Sequence, residues 1–158
     1  MTKSEFTHLV EATQETLRRF LVALCCGDEQ KADDIAQESY MRAYLSMESF
    51  RSEASFATWL RRIAYNVFIS DCRSCRPSES EEALINNVAE QSADDNFRYQ
   101  ELYSCLGSLP PKERMAITLY YLEGYSSAEI AQIMSANEAA VRQLMRRGRN
   151  HLGQLLNH

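Results

Sequence analysis

Apolar side chains recur at helical spacing from about Ser4 to Cys26, where Phe6, Leu9, Val10, Leu17, Phe20, Leu21 and Leu24 share one face and Gly27 supplies a stop. A second pattern, Glu29 to Met47, turns Ile35, Tyr40 or Met41, and Tyr44 inward. It leaves a polar, mostly acidic face of Asp33, Asp34, Gln37, Glu38 and Arg42. Phe50 to Ser55 has no period and reads as a loop, after which Ser55 can cap a third helix from Phe56 to about Arg73. That helix turns Phe56, Trp59, Leu60, Ile63, Ala64 and Val67 inward, and leaves Arg61, Arg62, Asn66, Ser70 and Arg73 for solvent or a ligand. Pro77 and the polar stretch Ser78 to Asn96 break the pattern and predict a flexible linker. Helical spacing resumes over Phe97 to Leu106, stops at Gly107 to Pro110, and restarts with a first-turn Pro111 in a helix running to Glu123, which Gly124 ends. No strand-like alternation of useful length and no internal repeat occurs. The chain is expected to be all-α: two small helical domains joined by an acidic flexible linker.

The last third carries the sharpest pattern. Ser126 and Ser127 open a short helix with Ile130, Ile133 and Met134 on one face, Ser135 to Asn137 interrupt it, and Asn137 can cap a longer helix with Val141, Leu144, Met145, Leu152 and Leu155 inward. Helix, three-residue turn, helix is the reading. On the outer face of the second helix Arg142, Arg146 and Arg149 fall at i, i+4 and i+7, with Gln143 and Arg147 beside them. Guanidiniums pair bidentately with guanine edges or hold phosphates, and an amide can read adenine, so a rod of this kind suits a major groove. A solvated Arg-rich face is the plainer reading. Against it, the helix has one acid, Glu138, in its first turn, where the helix dipole favours it.

Composition adds a boundary. The 158 residues carry a formal net charge of −5, but unevenly: residues 1–76 hold 10 basic and 11 acidic groups, residues 77–95 none and 6, and residues 96–158 seven and five. The middle is an acidic tether. Met1-Thr-Lys-Ser-Glu-Phe6 lacks the apolar core of a signal peptide, and no apolar run approaches the roughly 20 residues of a membrane span. Cys25, Cys26, Cys72, Cys75 and Cys105 are an odd number and do not resemble a secreted disulfide framework, so a reducing cytoplasm is expected. Cys72-Arg-Ser-Cys75 with Cys25 and Cys26 could supply four thiolates to zinc or a redox switch, yet adjacent Cys25 and Cys26 chelate awkwardly and equally suit small core positions. No metal or cofactor is expected. His8, His151 and His158 are read as surface residues.

Nearly the whole chain then resembles one family. Ala32-Asp-Asp-Ile-Ala-Gln-Glu38, the loop Phe50 to Ser55, and Phe56-Ala-Thr-Trp-Leu-Arg-Arg-Ile-Ala-Tyr-Asn66 look like region 2 of the extracytoplasmic-function (ECF) group of bacterial sigma factors. Leu109-Pro-Pro-Lys-Glu-Arg114, Gly124-Tyr-Ser126 and Glu129-Ile-Ala131 resemble the start of region 4. Their order, with a short acidic linker between, is the plan of that group.

The resemblance implies a dissociable promoter-specificity subunit of RNA polymerase, with residues 1–76 as region 2, 77–95 as linker and 96–158 as region 4. It implies core-polymerase contacts at Asp34, Gln37, Glu38 and Met41. Minus-10 contacts are implied at Phe50, Arg51, Ser52, Glu53, Arg61, Arg62, Asn66 and Arg73, because an unstacked base needs a pocket and a strand backbone needs cations. Minus-35 contacts fall on Arg142, Gln143, Arg146, Arg147 and Arg149. Phe56 and Trp59 lie on the apolar stripe and are read as core rather than stacking platforms. The expected partners are core polymerase, promoter DNA and an anti-sigma factor, with no small-molecule substrate and no membrane insertion.

The chain also departs from the family pattern. Ser135 stands where Gly is usual in the turn, Ala139 and Ala140 where Gly and Thr are frequent, Arg146 where an apolar side chain is common, and Ser70 where Asp is usual. An enzyme is disfavoured, since there is no phosphate-cradling glycine loop, no HExxH and no nucleophile set at useful spacing. A stand-alone helix-turn-helix regulator is the alternative, because the second domain by itself would say no more than that.

Overall fold

The computed structural model describes residues 1–51, 55–74 and 93–156. Among them are seven α-helices and no strand: α1 (Lys3–Leu24), α2 (Glu29–Leu45), α3 (Phe56–Ser74), α4 (Ala93–Gly107), α5 (Pro111–Ile117), α6 (Ser127–Met134) and α7 (Glu138–Leu156). The expected linker lies outside the described residues up to position 92, and its last three positions belong to α4, which starts four residues earlier than the apolar spacing indicates.

Helices α1, α2, α3, α6 and α7 begin where a side chain satisfies a free amide of the first turn, while α5 opens on Pro111, which has no amide to satisfy. Thr2 and Glu5 form a reciprocal capping box on α1, and Asp28 accepts from the Lys31 amide at 3.1 Å on α2. Ser55 Oγ accepts from the Thr58 amide at 3.1 Å on α3, and Ser126 Oγ from that of Glu129 at 3.2 Å on α6. Asn137 Oδ1 accepts from the Ala140 amide at 2.7 Å on α7. The stop after α1 takes two left-handed residues, Cys26 at φ 58° and Gly27 at φ 91°. After α5 the backbone continues as a π-helical turn, Thr118–Leu122, rather than the unbroken α-helix expected to Glu123.

Helix α2 buries small groups, Ala32, Ser39 and Ala43, around Ile35, and so settles closely between α1 and α3. Of the alternatives Tyr40 or Met41, the half-buried Tyr40 is the one turned inward and Met41 is 60% exposed; Tyr44, expected inward, meets Phe6 edge-on with 40% of its surface still exposed. In the second unit α5, α6 and α7 enclose Met115, Ile117, Leu119, Ile130, Ile133, Val141 and Met145.

The two units are not apart. Helix α3 packs on α6 and α5, α1 packs on the π-helical turn, and the buried apolar side chains form one contiguous cluster. Two domains placed independently were the expectation from the acidic tether. The apolar faces of α1 and α3 prove broader than one three-helix unit can cover, and the second unit covers the remainder. Burial at this seam pushes the Tyr125 hydroxyl above its ordinary value, with the Arg61 guanidinium acting the other way.

Ser135 occupies the left-handed region at φ 52° and ψ 45°, and the Ala136 amide closes back on the Ala131 carbonyl at 2.9 Å. The turn therefore keeps the geometry for which glycine is cheaper. Ser135→Gly relieves about 1 kcal/mol of steric cost but gives back roughly half of it as unfolded-chain entropy. A rise in melting temperature of about 1–2 °C is expected by calorimetry, and a fall would show the serine side chain to be holding the turn.

Candidate nucleic-acid interface

Helix α7 presents its basic stripe as expected. Val141 and Met145 are buried, while Arg142, Gln143, Arg146, Arg147 and Arg149 are exposed. Arg142 is held by Glu138 at 3.0 Å one turn back, and Arg149 Nη1 donates to the Tyr121 hydroxyl at 3.3 Å. Arg146 and Arg147 carry no ion pair among the described residues. Both faces of α7 thus follow from one sequence period, and α6 packs against it.

A second polar stripe runs along α3, where Arg62, Asn66, Ser70 and Arg73 are all exposed. From Arg62 to Arg73 it covers roughly 16 Å, enough for a few nucleotides of extended strand. At its lower end sits an aromatic cluster. Phe50 lies 5.2 Å from Trp59 and 6.0 Å from Phe56 between ring centroids, and Phe56 lies 6.0 Å from Phe6. Phe56 is buried and Trp59 half-buried, as expected for core residues. Phe50, placed by the resemblance among the base contacts, is half-buried here and anchors the start of the loop. Arg51 is exposed, and Ser52 and Glu53 lie outside the described residues.

Arg61 departs furthest from expectation. Expected outward with Arg62, it is 2% exposed, because α6 and the residues after the π-helical turn cover this part of α3. Its Nη2 donates to Glu123 Oε2 at 3.2 Å, and its guanidinium sits 5.5 Å from the Phe20 ring centre and 5.6 Å from that of Tyr125. In this arrangement it cannot touch a phosphate.

On α2, Asp34, Gln37 and Met41 are exposed, and Glu38 is part-covered and paired with Arg42 at 2.9 Å. The same face continues through Leu45, 78% exposed, which the sequence reading missed. The signal was available: Leu45 stands four residues beyond Met41.

Cys25 and Cys26 are buried, and burial pushes both thiols up from their ordinary value. That holds them protonated, the form that packs in a core rather than the thiolate that binds zinc. Cys75 lies outside the described residues. His151, read as a surface residue, is exposed, and its Nδ1 lies 2.8 Å from Glu113 Oε2, which ties α7 to α5. No helix among the described residues is long and apolar enough to cross a membrane.

The chain matches two family models, Sigma-70 region 2 over residues 9–76 and Sigma-70, region 4 over residues 99–152. It is 30% identical to the ECF RNA polymerase sigma factor SigM of Bacillus subtilis, over 88% of this chain and 87% of that protein. It is 35% identical to the ECF RNA polymerase sigma-E factor of Haemophilus influenzae, over 93% of this chain and 85% of that one. A probable RNA polymerase sigma factor of Xanthomonas campestris, RfaY, is 30% identical, but only 38% of its length is matched. In fold the chain is similar to the sigma factor RpoE of Bartonella quintana, solved with the anti-sigma factor NepR, at TM-score 0.74 and 24% identity over 97% of each chain. It is similar also to CnrH, solved with the cytosolic domain of CnrY, at TM-score 0.73 and 23% identity over 99% of this chain and 90% of that one. Region 2 and region 4 in this order, with ECF sigma factors 30% identical or more over most of both chains, establish that the chain belongs to the ECF group of sigma-70-type RNA polymerase sigma factors.

Proposed function

We propose that residues 1–76 dock on core RNA polymerase and hold the minus-10 element, that residues 96–158 read the minus-35 element, and that the chain acts in the cytoplasm by binding, without catalysis of its own. The observation that carries this reading is the pairing of two separate polar surfaces in one chain. The α7 stripe of Arg142, Gln143, Arg146, Arg147 and Arg149 suits a groove, and the α2 face of Asp34, Gln37, Glu38 and Met41 is acidic, partly apolar and of no use to DNA. A stand-alone helix-turn-helix regulator would need only the first. On α3, Arg62, Asn66 and Arg73 are assigned to the minus-10 strand with Arg51 and the loop that Phe50 anchors, Ser52 and Glu53 included, and Arg61 joins them only when uncovered. RpoE and CnrH were solved with protein partners, the first with an anti-sigma factor, and by that likeness an inhibitory protein is proposed for this chain too.

Run-off transcription from a cognate promoter tests the reading: synthesis should require both the chain and core polymerase, and the chain alone should not retain promoter duplex. Tight, specific duplex binding without polymerase would support the regulator instead. Within the docking face, Gln37→Arg puts a cation where an acidic surface is expected to meet a basic one, which costs at least about 1.4 kcal/mol, or roughly tenfold in assembly with core polymerase. Helicity and melting temperature should be unchanged, since Gln37 is exposed. Normal assembly would remove it from the interface.

A further inference from the structure

We propose that the two domains latch each other shut by exchanging arginines, and that the latch must open before the chain can span a promoter; this rests on the assignment of minus-10 and minus-35 contacts above. From the first domain, Arg61 crosses the seam to Glu123 Oε2 at 3.2 Å and lies against the Tyr125 ring. From the second, Arg114 returns, donating Nη1 to the Leu24 carbonyl at 3.2 Å with its guanidinium 5.9 Å from the Phe68 ring centre. Arg114 is also fixed at home by the carbonyls of Leu106 and Leu109 at 2.9 and 3.1 Å, so it reaches across as a rigid prong.

Arg61 is the movable part. Its bonds within its own domain are few: Nη1 donates to the Ala57 carbonyl at 3.3 Å, and Nε has no partner among the described residues. A buried guanidinium is tolerated only while its charge is matched, and Glu123 is its one ion-pair partner among the described residues. The incomplete hydrogen bonding leaves the closed state open to competition from water, which can reach every donor, or from a phosphate, which can take two of them bidentately.

Size makes opening obligatory. A compact chain of this length has a radius of gyration of about 15 Å and a diameter of roughly 40 Å. The two promoter elements are separated by about 25 base pairs at 3.4 Å each, roughly 85 Å. The domains cannot hold both elements while Arg61 holds Glu123. Since Arg61 stands on α3 beside Arg62, opening also delivers a third guanidinium to the minus-10 stripe, and the latch and the promoter compete for one side chain.

Glu123→Gln tests this, because it removes the charge partner at a residue outside every proposed contact surface. Small-angle scattering of the free wild-type chain should give one compact particle near the radius above. The variant should be several ångströms larger, with unchanged helicity by circular dichroism, and should support at least about threefold more run-off transcription when the chain is limiting over core polymerase. The charge swap, Arg61→Glu with Glu123→Arg, should return the compact radius. An extended wild-type chain, a compact Glu123→Gln variant, or an opened variant with no gain in transcription would each overturn the latch; loss of helicity in Glu123→Gln would do so as well, by making the pair part of the fold itself. Absence of core-dependent transcription by the wild type would instead sink the promoter-binding reading, and the scattering result would be read independently of it.

Discussion

Replacing Arg147 by alanine is expected to cost about 1–3 kcal/mol of minus-35 discrimination, roughly 5- to 150-fold, if the contact is to a base edge, with assembly on core polymerase unchanged. The side chain is exposed on the outer face of α7 and holds no ion pair among the described residues, so nothing in the protein has to be broken for it to meet DNA. Arg142 should lose less. Its guanidinium already rests on Glu138 at 3.0 Å, and that contact must be given up on binding. The measurement is holoenzyme affinity for promoter duplexes varied across the minus-35 element, at two or more salt concentrations. An equal loss on all sequences, with a salt slope reduced by about one, would make Arg147 a phosphate contact. No loss on any sequence would remove α7 from the groove.

The features that could be read before the structure are those whose cause is local. Ser55, Ser126 and Asn137 cap helices because an oxygen sits three residues before an amide, and each cap is found where the spacing places it. The basic stripe of α7 follows from period alone, and the left-handed turn at Ser135 follows from where α6 must end. What escaped was set by partners distant in sequence. Arg61 is read from the α3 wheel as a solvent position, and only the second unit packed over it, with Glu123 62 residues away as its charge partner, explains its burial. His151 and Glu113, 38 residues apart, were invisible for the same reason. Tyr44 does not turn fully inward because α2 is packed through Ala32, Ser39 and Ala43, small residues that a search for large apolar ones passes over. The acidic tether likewise says how far two domains are able to separate and nothing about whether their surfaces attract.

Gly148→Leu is expected to be the most damaging substitution in the second domain. Gly148 is buried inside α7, where glycine costs about 1 kcal/mol relative to alanine, so some packing requirement must outweigh propensity. The requirement is the approach of α5: a Cβ at this position would stand 2.7 Å from Ile117 Cγ1 and 3.1 Å from its Cδ1. Three residues on, His151 meets Glu113 of the same α5 at 2.8 Å, so the two helices are pinned one turn beyond the glycine and cannot separate freely there. A leucine must displace Ile117 or lever α7 away, at about 2–3 kcal/mol, a fall of roughly 4–10 °C in melting temperature. Because Arg146, Arg147 and Arg149 flank the site, the same displacement misaligns the groove face, and minus-35 binding should fall even at temperatures where the variant remains folded. Gly148→Ala should cost less, since its gain in helix propensity offsets part of the strain. Gly153→Ala, with nothing within 4 Å of its added carbon, should stabilise by about 0.5–1 kcal/mol. A Gly148→Leu chain that melts with the wild type and binds the minus-35 element normally would show that α5 and α7 do not need this close contact, and the orientation of the groove helix would then have to be set by α6 alone.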